Sequence, residues 1–161
     1  MGQFVATINS CEKFNKFLLI GLNIDGFKTN FDKFNVLNNE LVNSGLKVSC
    51  YCFVETNITL ADSGPYYING YNKFISDKIF YQHNDKFKKK GSGIAIYIDI
   101  KYKMVAKVPS FCICTADIEI LTIKLTTEQN TTYYLLGVYR TPNGNVDNAI
   151  KTLDLIIKRW S

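Results

Sequence analysis

Length, composition and charge identify a chain that can form one globular domain. It has 161 residues, 47% of them hydrophobic, and a formal net charge of +5 with a sequence pI near 8.9. No apolar run approaches the roughly 18 residues needed to cross a bilayer, which excludes a membrane-spanning chain. The five cysteines, an odd number, favour a reducing intracellular compartment over a disulfide framework.

The first predicted elements follow an irregular start. We expect residues 1–15 to be a disordered lead-in. Residues 17–23 are a short apolar run that predicts a strand ending in the side-chain amide of Asn23. An amphipathic helix comes next, with Thr29 or Asn30 as its cap. Its apolar face carries Phe31, Phe34, Leu37 and Leu41.

The second half of the chain predicts three strands and a helix. Residues 94–100 alternate with a period of two, which is typical of a strand. Residues 117–125 and 133–139 follow the same pattern, and the polar stretch 126–131 between them suits an antiparallel connection. The final segment predicts a helix with an apolar core stripe. That stripe consists of Val146, Ala149, Ile150, Leu153, Ile157 and Trp160.

An acid stands near the end of the predicted strand 48–56. Side chains alternate along this strand until Glu55. A carboxylate on a rigid strand end is suited to a hard, oxygen-preferring cation such as Mg²⁺. We expect the amide of Asn23 at the same rim. For an isolated acid, the alternative interpretation is a solvated charge at a sheet edge.

Four short segments carry a resemblance to a known family. They are Leu22-Asn23, Glu55-Thr56, Gly91-Ser92-Gly93 and Tyr139-Arg140-Thr141-Pro142-Asn143. This series resembles the endonuclease/exonuclease/phosphatase superfamily, and most closely the endonuclease domain of non-LTR (LINE-type) retrotransposons. The resemblance covers nearly the whole chain from about Phe17 onward.

The resemblance implies an α+β fold, the four-layer α/β sandwich of two packed sheets flanked by helices. Residues 16–161 would be the amino-terminal part of a single such domain. This part would supply about one sheet with flanking helices and little of the second. An incomplete sandwich exposes an apolar face and a strand edge, so we expect self-association through that face.

The resemblance also implies site residues. Glu55 resembles the principal ligand of a Mg²⁺ or Mn²⁺ ion, and Asn23 resembles the asparagine that helps to order the metal and the phosphate. Tyr139 resembles the tyrosine that hydrogen-bonds near the scissile phosphate. Arg140 and Asn143 resemble positions that contact the DNA backbone. The expected partner is DNA, and the expected location is nuclear.

Two motifs of the family do not occur in this sequence. One is a Gly-Asp-Phe-Asn type motif and the other a Ser-Asp-His type motif. The only histidine, His83, lies far upstream of the family's general base. Hydrolysis of a phosphodiester by this chemistry needs a base as well as a metal. We therefore expect a truncated enzyme that is inactive, or nearly so, alone.

A run of lysines precedes the predicted glycine turn. Such a cluster attracts a polyanion with salt-sensitive affinity that does not depend on sequence, so these lysines are candidate DNA contacts. The alternative is a solvated loop without a ligand. The lysines are Lys86, Lys88, Lys89 and Lys90.

Four cysteines form two pairs, Cys50 with Cys52 and Cys112 with Cys114. Residues two apart on a strand share a face, so two neighbouring pairs offer a tetrahedral thiolate site for zinc. The spacing is unusual for structural zinc, and buried small hydrophobes are the favoured interpretation.

Three hypotheses follow for function. The leading one is part of a Mg²⁺-dependent DNA endonuclease of the retrotransposon type. The second is a non-catalytic module, from a decayed copy, that binds nucleic acid or protein. The third, a phosphatase of small phosphoesters, is less favoured because residues 139–143 resemble the nucleic-acid branch.

Overall fold

The structure is a computed structural model that describes residues 3–8, 17–58, 61–76, 82–83, 86–87, 93–102, 104–127 and 130–159. Within these residues the chain forms eleven strands, two α-helices and two short 3-10 helices; the strands and α-helices are numbered below. In chain order they are β1 (Gln3–Ile8), β2 (Phe17–Asn23), α1 (Phe27–Asn43), β3 (Cys50–Val54), β4 (Tyr71–Ile75), β5 (Gln82–His83), β6 (Lys86–Phe87), β7 (Ile94–Asp99), β8 (Met104–Lys107), β9 (Ile113–Cys114), β10 (Ile118–Thr126), β11 (Thr132–Arg140) and α2 (Val146–Lys158).

The first sheet has five strands in the order β1-β2-β3-β7-β4. Strands β2 and β3 are parallel, whereas the other neighbours are antiparallel. A parallel pair needs a crossover connection, and α1 provides it. The carboxyl ends of β2 and β3 therefore lie at the same edge of the sheet.

Strand β1 corrects part of the expected lead-in. Residues 1–15 were predicted to be disordered, but Gln3–Ile8 pairs antiparallel with the whole of β2. The free edge of β2 presents unpaired N–H and C=O groups, and an additional strand satisfies them. The rest of the predicted lead-in is outside the described residues.

Helix α1 covers one face of the first sheet, as its apolar pattern predicted. Phe27 and Phe34 pack edge-on against Phe53, with ring centroids 5.2 and 4.8 Å apart. Tyr51 and Tyr97 complete this aromatic layer, and both are fully buried. Such offset and edge-to-face pairs are the favourable arrangement of aromatic rings.

The start of α1 differs from the prediction. The helix begins at Phe27 after Gly26, and no side chain caps it. Asn30, predicted as a cap, lies inside the first turn and is buried. Its amide donates to the carbonyls of Ile24 and Asp25 at 3.0 and 3.1 Å. It therefore stabilises the segment between β2 and the helix instead of capping the helix.

The second sheet has four strands, more than the small part expected. Its order is β11-β10-β8, and β9 also pairs with β10. Strands β10 and β11 form the predicted antiparallel hairpin. The ends of β7, β10 and β11 differ from the predicted ends by at most one residue.

The two sheets pack face to face around an apolar core. Cys50 and Ile96 from the first sheet meet Leu121, Ile123 and other residues of the second. Gly137 on β11 lies at the closest approach, because a Cβ there would be 2.6 Å from Ile94 Cγ2 and 3.1 Å from Cys52 Sγ. Only glycine leaves room for this contact.

Helix α2 covers the outer face of the second sheet and completes an α/β/β/α sandwich. Ala149 and Ile156 are buried against Ile118 and Ile120 of β10. The predicted core stripe is only partly correct, because its apolar residues span a wider arc than one sheet face can cover. Three of its members are more than half exposed, namely Val146, Ile150 and Ile157. Trp160 lies outside the described residues.

Among the described residues, neither helix combines the length and the apolar character needed to cross a membrane.

Candidate active site

Asn23 and Glu55 lie at the same edge of the first sheet. Asn23 is the last residue of β2, and its register partner on the parallel strand β3 is Val54. Glu55 directly follows Val54. The parallel pairing thus places the predicted amide and acid within one residue of each other along this edge, as expected from the sequence.

The backbone around Glu55 is strained. Glu55 has φ 57° and Asn57 has φ 54°, while Asp25 on the neighbouring loop has φ 47°. Left-handed conformations are unfavourable for residues with a Cβ, and each costs about 1–3 kcal/mol. Residues in such conformations cluster at functional sites, where the surrounding structure holds them in place.

Hydrogen bonds from the neighbouring loop hold this conformation. The Gly26 N–H donates to the Glu55 carbonyl at 2.7 Å, and the Phe27 N–H donates to the Thr56 carbonyl at 2.9 Å. The Asn57 amide also donates to the Glu55 carbonyl, at 3.3 Å. The start of α1 and the end of β3 are therefore a single hydrogen-bonded unit.

Asn23 has its own local partner. Its Oδ1 accepts a hydrogen bond of 3.1 Å from the Asp25 N–H. This contact orients the amide at the end of β2 and leaves the residue exposed.

The left-handed φ takes Glu55 out of the regular alternation of β3. Phe53 belongs to the core beneath α1, whereas Cys52 and Val54 belong to the core between the sheets. Regular alternation would point Glu55 toward α1. The Glu55 carboxylate is instead near enough to Tyr139, which is on the second sheet, to influence the pKa of that hydroxyl.

Tyr139 is buried at the junction between the sheets, with 7% of its surface exposed. Burial, then the hydrogen-bonding influence of Glu55 and the negative charges of Glu55 and Glu119, raise the pKa of Tyr139. Its hydroxyl has no hydrogen bond of ordinary geometry within the described part of the chain. A neutral phenol that faces two carboxylates can donate a hydrogen bond to an incoming oxygen.

Glu119 is a member of this site that the sequence prediction missed. It lies directly opposite Tyr139 in the β10–β11 ladder and is 3% exposed. Its Oε2 accepts a hydrogen bond of 2.8 Å from the Gly93 N–H. The available signal was a single acid within the apolar run Ile118–Ile123, since charged residues are rarely buried without a partner.

Gly93 and Thr56 close the site from the first sheet. Gly93 has φ 99°, and a Cβ there would collide with the Thr56 hydroxyl. The Thr56 N–H donates to the Gly93 carbonyl at 3.1 Å. Thr56 Oγ1 is fully enclosed and has no hydrogen-bond partner among the described residues. Gly91 and Ser92 of the predicted glycine turn are outside the described residues.

Arg140 and Asn143 lie beyond Tyr139 at the same end of the second sheet. The Arg140 Nη1 donates to the carbonyls of Thr141 and Gly144, at 3.1 and 3.3 Å. Asn143 is exposed in the loop that leads to α2. Arg140 therefore shapes its own loop in this structure.

Asp117 holds that loop in place. Its Oδ1 accepts from the Asn145 N–H at 2.7 Å, and its Oδ2 accepts from the Asn148 side chain at 3.1 Å. Thr141 also bonds to this segment, because its N–H donates to the Asp117 carbonyl at 3.1 Å. The start of β10 thus positions the segment that carries Asn143.

The predicted DNA-contacting lysines lie outside the described part of the chain. Lys88, Lys89 and Lys90 lie outside the described residues, as does the side chain of His83. In the ranges whose side chains are described, no three His, Cys, Asp or Glu residues form a metal-binding group.

The four cysteines that are spaced two apart in the sequence are all free thiols, namely Cys50, Cys52, Cys112 and Cys114. Burial raises the pKa of Cys52 to about 12, and burial together with the nearby Cys52 raises the pKa of Cys50 still further. A zinc ligand must be a thiolate. These shifts favour the interpretation of Cys50 and Cys52 as small core residues.

The residues at the sheet junction suit a hard cation better than a soft one. Glu55 and Asn23 offer oxygen donors, which Mg²⁺ and Mn²⁺ prefer. Two enclosed hydroxyls nearby, from Thr56 and Tyr139, have unused hydrogen-bonding capacity among the described residues. The donor set therefore fits such a cation.

Comparison with known proteins identifies the fold. No protein-family model matches the sequence, and no curated protein matches it. Solved structures similar to this chain include the following two. The AP endonuclease LMAP from Leishmania major has a TM-score of 0.60 and 16% identity, and the match covers 89% of this chain and 47% of that one. The endonuclease domain of TRAS1, a telomere-specific non-LTR retrotransposon, has a TM-score of 0.58 and 14% identity, with 90% and 54% covered.

This chain spans about half the length of the solved structures it matches. At this level of identity the similarity concerns the fold. Two packed sheets between two helices, together with these structural matches, show that the chain has an endonuclease/exonuclease/phosphatase-like fold.

Proposed function

We propose that this chain is the metal-holding part of a Mg²⁺-dependent DNA endonuclease of the retrotransposon type. The observation that carries the proposal is the meeting of Glu55 and Tyr139 at the junction of two sheets, beside the end of the strand that carries Asn23. The similarity to two endonuclease structures supports a nuclease-like function.

In this proposal Glu55 and Asn23 hold a Mg²⁺ or Mn²⁺ ion. A divalent cation, when bound, neutralises charge on the phosphoryl oxygens of the substrate. Tyr139 donates a hydrogen bond from its buried hydroxyl to the attacked phosphodiester. Because that hydroxyl is held away from bulk water, its hydrogen bond to a developing negative charge is worth more than in water.

The DNA backbone would run along the same end of the second sheet. Arg140 and Asn143 would contact phosphates there, and Lys88, Lys89 and Lys90 would add positive charge. Phosphate contacts by such residues release counterions, so binding should weaken steeply as salt increases. An endonuclease of the retrotransposon type would also act in the nucleus.

The isolated chain should hydrolyse DNA slowly or not at all. The sequence contains neither a Gly-Asp-Phe-Asn type motif nor a Ser-Asp-His type motif. Catalytic groups act as a unit, so loss of the base commonly costs several orders of magnitude in rate. A non-catalytic DNA-binding module is therefore the second candidate.

Binding of Mn²⁺ tests the leading proposal without depending on turnover. Titration calorimetry should show one site in the unaltered chain, and Glu55→Ala should weaken binding by tenfold or more. Glu40→Ala is the matched control, because Glu40 is an exposed acid on α1. Equal affinity in all three proteins would remove Glu55 from the site.

A plasmid assay separates the two candidates. If Mg²⁺-dependent nicking occurs and is lost in Glu55→Ala, the endonuclease proposal holds for this chain alone. Salt-sensitive DNA binding by a chain that neither nicks DNA nor binds Mn²⁺ favours the binding module.

We also propose self-association through the open side of the second sheet. Strand β11 is at the edge of this sheet among the described strands. Val138 is 38% exposed on it, and Ile150 on α2 is 61% exposed. Sedimentation velocity should show a concentration-dependent dimer that Val138→Lys weakens, whereas a monomer at all concentrations would contradict this proposal.

A further inference from the structure

Glu119 is an acid in an environment that disfavours charge. It is 3% exposed, and its neighbours along β10 are the fully buried Ile118 and Ile120. Burial of a carboxylate is costly unless hydrogen bonds compensate for the lost water. Its retention in the core of the second sheet therefore calls for a specific partner.

That partner is a backbone N–H group next to a strand of the first sheet. The Gly93 N–H donates to Glu119 Oε2 at 2.8 Å. Gly93 immediately precedes β7, where the ladder with β3 begins at the pair Val54 and Ile94. The Gly93 N–H is thus directed toward the other sheet, and Glu119 satisfies it.

Gly93 in turn holds the segment that carries Glu55. The Gly93 carbonyl accepts from the Thr56 N–H at 3.1 Å, and the Glu55 carbonyl accepts from the Gly26 N–H at 2.7 Å. Both bonds are made by the peptide group that joins Glu55 to Thr56, and Glu55 itself has a left-handed conformation. A continuous series of hydrogen bonds therefore connects Glu119 on one sheet to the strained backbone of Glu55 on the other.

We propose that Glu119 is a positioning residue: through Gly93 it fixes the backbone of Glu55 and thereby the direction of the Glu55 carboxylate. This inference rests on the proposed role of Glu55 as a metal ligand. For this role we expect the reach of the Glu119 acceptor oxygen to matter more than its charge, because that oxygen accepts from the backbone N–H of Gly93.

Two conservative substitutions separate reach from charge. Glu119→Gln keeps an oxygen acceptor at the same distance and removes the charge. Glu119→Asp keeps the charge and retracts the carboxylate by one methylene, so that it no longer reaches Gly93. The matched control is Thr122→Val on the same strand, which removes a part-buried hydrogen bond of 2.8 Å from the Thr122 hydroxyl to the Phe111 carbonyl.

Amide hydrogen exchange without metal directly tests whether Glu119 holds the backbone of Glu55 through Gly93. Glu119→Asp should speed exchange at the Thr56 and Gly26 amides by tenfold or more relative to the amides of β10. Glu119→Gln and Thr122→Val should leave these two amides within about threefold of the unaltered chain. Unchanged protection in Glu119→Asp, or equal loss in Glu119→Gln, would overturn the proposal.

Mn²⁺ affinity tests the consequence for the site. Glu119→Asp should weaken binding by about tenfold, and Glu119→Gln should restore it to within about threefold. If Glu119→Gln binds Mn²⁺ as weakly as Glu119→Asp, the charge of Glu119 is the property that matters. The proposed positioning of Glu55 through the hydrogen bond to Gly93 is then wrong. If the unaltered chain binds no Mn²⁺, the proposed metal function fails, and the exchange result still decides whether Glu119 positions Glu55.

Discussion

Glu55 and Tyr139 meet at the junction of two sheets, although each lies at the end of a strand in a different sheet. Two features bring them together. The left-handed backbone takes Glu55 out of the alternation of β3, and Gly137, two residues before Tyr139, lets β11 approach the first sheet closely. The site therefore depends on backbone conformation at least as much as on side-chain identity.

The strained backbone at Glu55 predicts that two variants which both lose metal binding will differ in stability. Glu55→Gly and Glu55→Ala both remove the carboxylate, so both should lose Mn²⁺ binding. Glycine tolerates φ 57° and alanine does not, so the glycine variant should be more stable by about 1 kcal/mol. Urea unfolding measures this difference. Equal stability would show that the left-handed conformation at this position is not strained.

The close approach at Gly137 predicts that an added methyl group is destabilising. Gly137→Ala should lower the free energy of unfolding by about 1–3 kcal/mol, because Ile94 and Cys52 occupy the space. Gly64→Ala is the control, since a Cβ there meets nothing within 4 Å. Thermal unfolding should distinguish the two variants. A neutral Gly137→Ala would mean that the sheets can separate without cost at this point.

The contacts of Asp117 predict a role in the loop that leads to α2. Asp117→Ala removes acceptors for the Asn145 N–H and the Asn148 side chain. The expected loss of stability is about 1–2 kcal/mol, comparable with the loss of a helix cap. Asp32→Ala, at an exposed acid on α1, should change stability by less than about 0.5 kcal/mol. Similar losses in both variants would argue that the Asp117 contacts contribute nothing specific.

The raised cysteine pKa values predict the pH dependence of stability. Burial raises the pKa of Cys52 from its usual 9.0 to about 12. Above pH 9 the unfolded chain loses this proton while the folded chain keeps it, so stability is fully present below pH 9 and falls as pH rises toward 12. The slope is about 1.4 kcal/mol per pH unit for one such group.

Urea unfolding between pH 8 and pH 10.5 in the presence of a reductant measures this slope. Cys52→Val fills similar space without a titrating group, so it should reduce the slope by the contribution of one thiol. An identical slope in the variant would assign the alkaline loss of stability to other buried groups, such as Tyr97, whose pKa burial also raises.

Local patterns were sufficient for much of the fold. The period-two alternation of residues 94–100 predicted β7, and the polar connection 126–131 predicted the β10–β11 hairpin; both predictions are confirmed. These patterns succeed because backbone pairing and one-sided burial impose a period on neighbouring residues. The core stripe of α2 was overestimated, because periodicity shows which residues share a face but not how wide the opposing surface is.

Asn23 and Glu55 could be singled out from the sequence because each stands at the end of a predicted strand and within a segment that resembles a family motif. Their arrangement at one edge follows from the parallel pairing of β2 and β3. Glu119 was missed because its partner, Gly93, is distant in sequence and belongs to another sheet. A hydrogen bond between a side chain and a distant N–H leaves no periodic signal in the chain.

The sequence by itself determined five of the strands, the two α-helices, the resemblance on which the site residues depend, and the oxygen-rich character of Asn23 and Glu55. Only the tertiary structure decided the direction of Glu55, its encounter with Tyr139 and the anchoring of its turn by Glu119. The physical reason is that periodic burial is a local property, whereas a left-handed backbone and a buried carboxylate persist only when groups from several elements compensate for their cost.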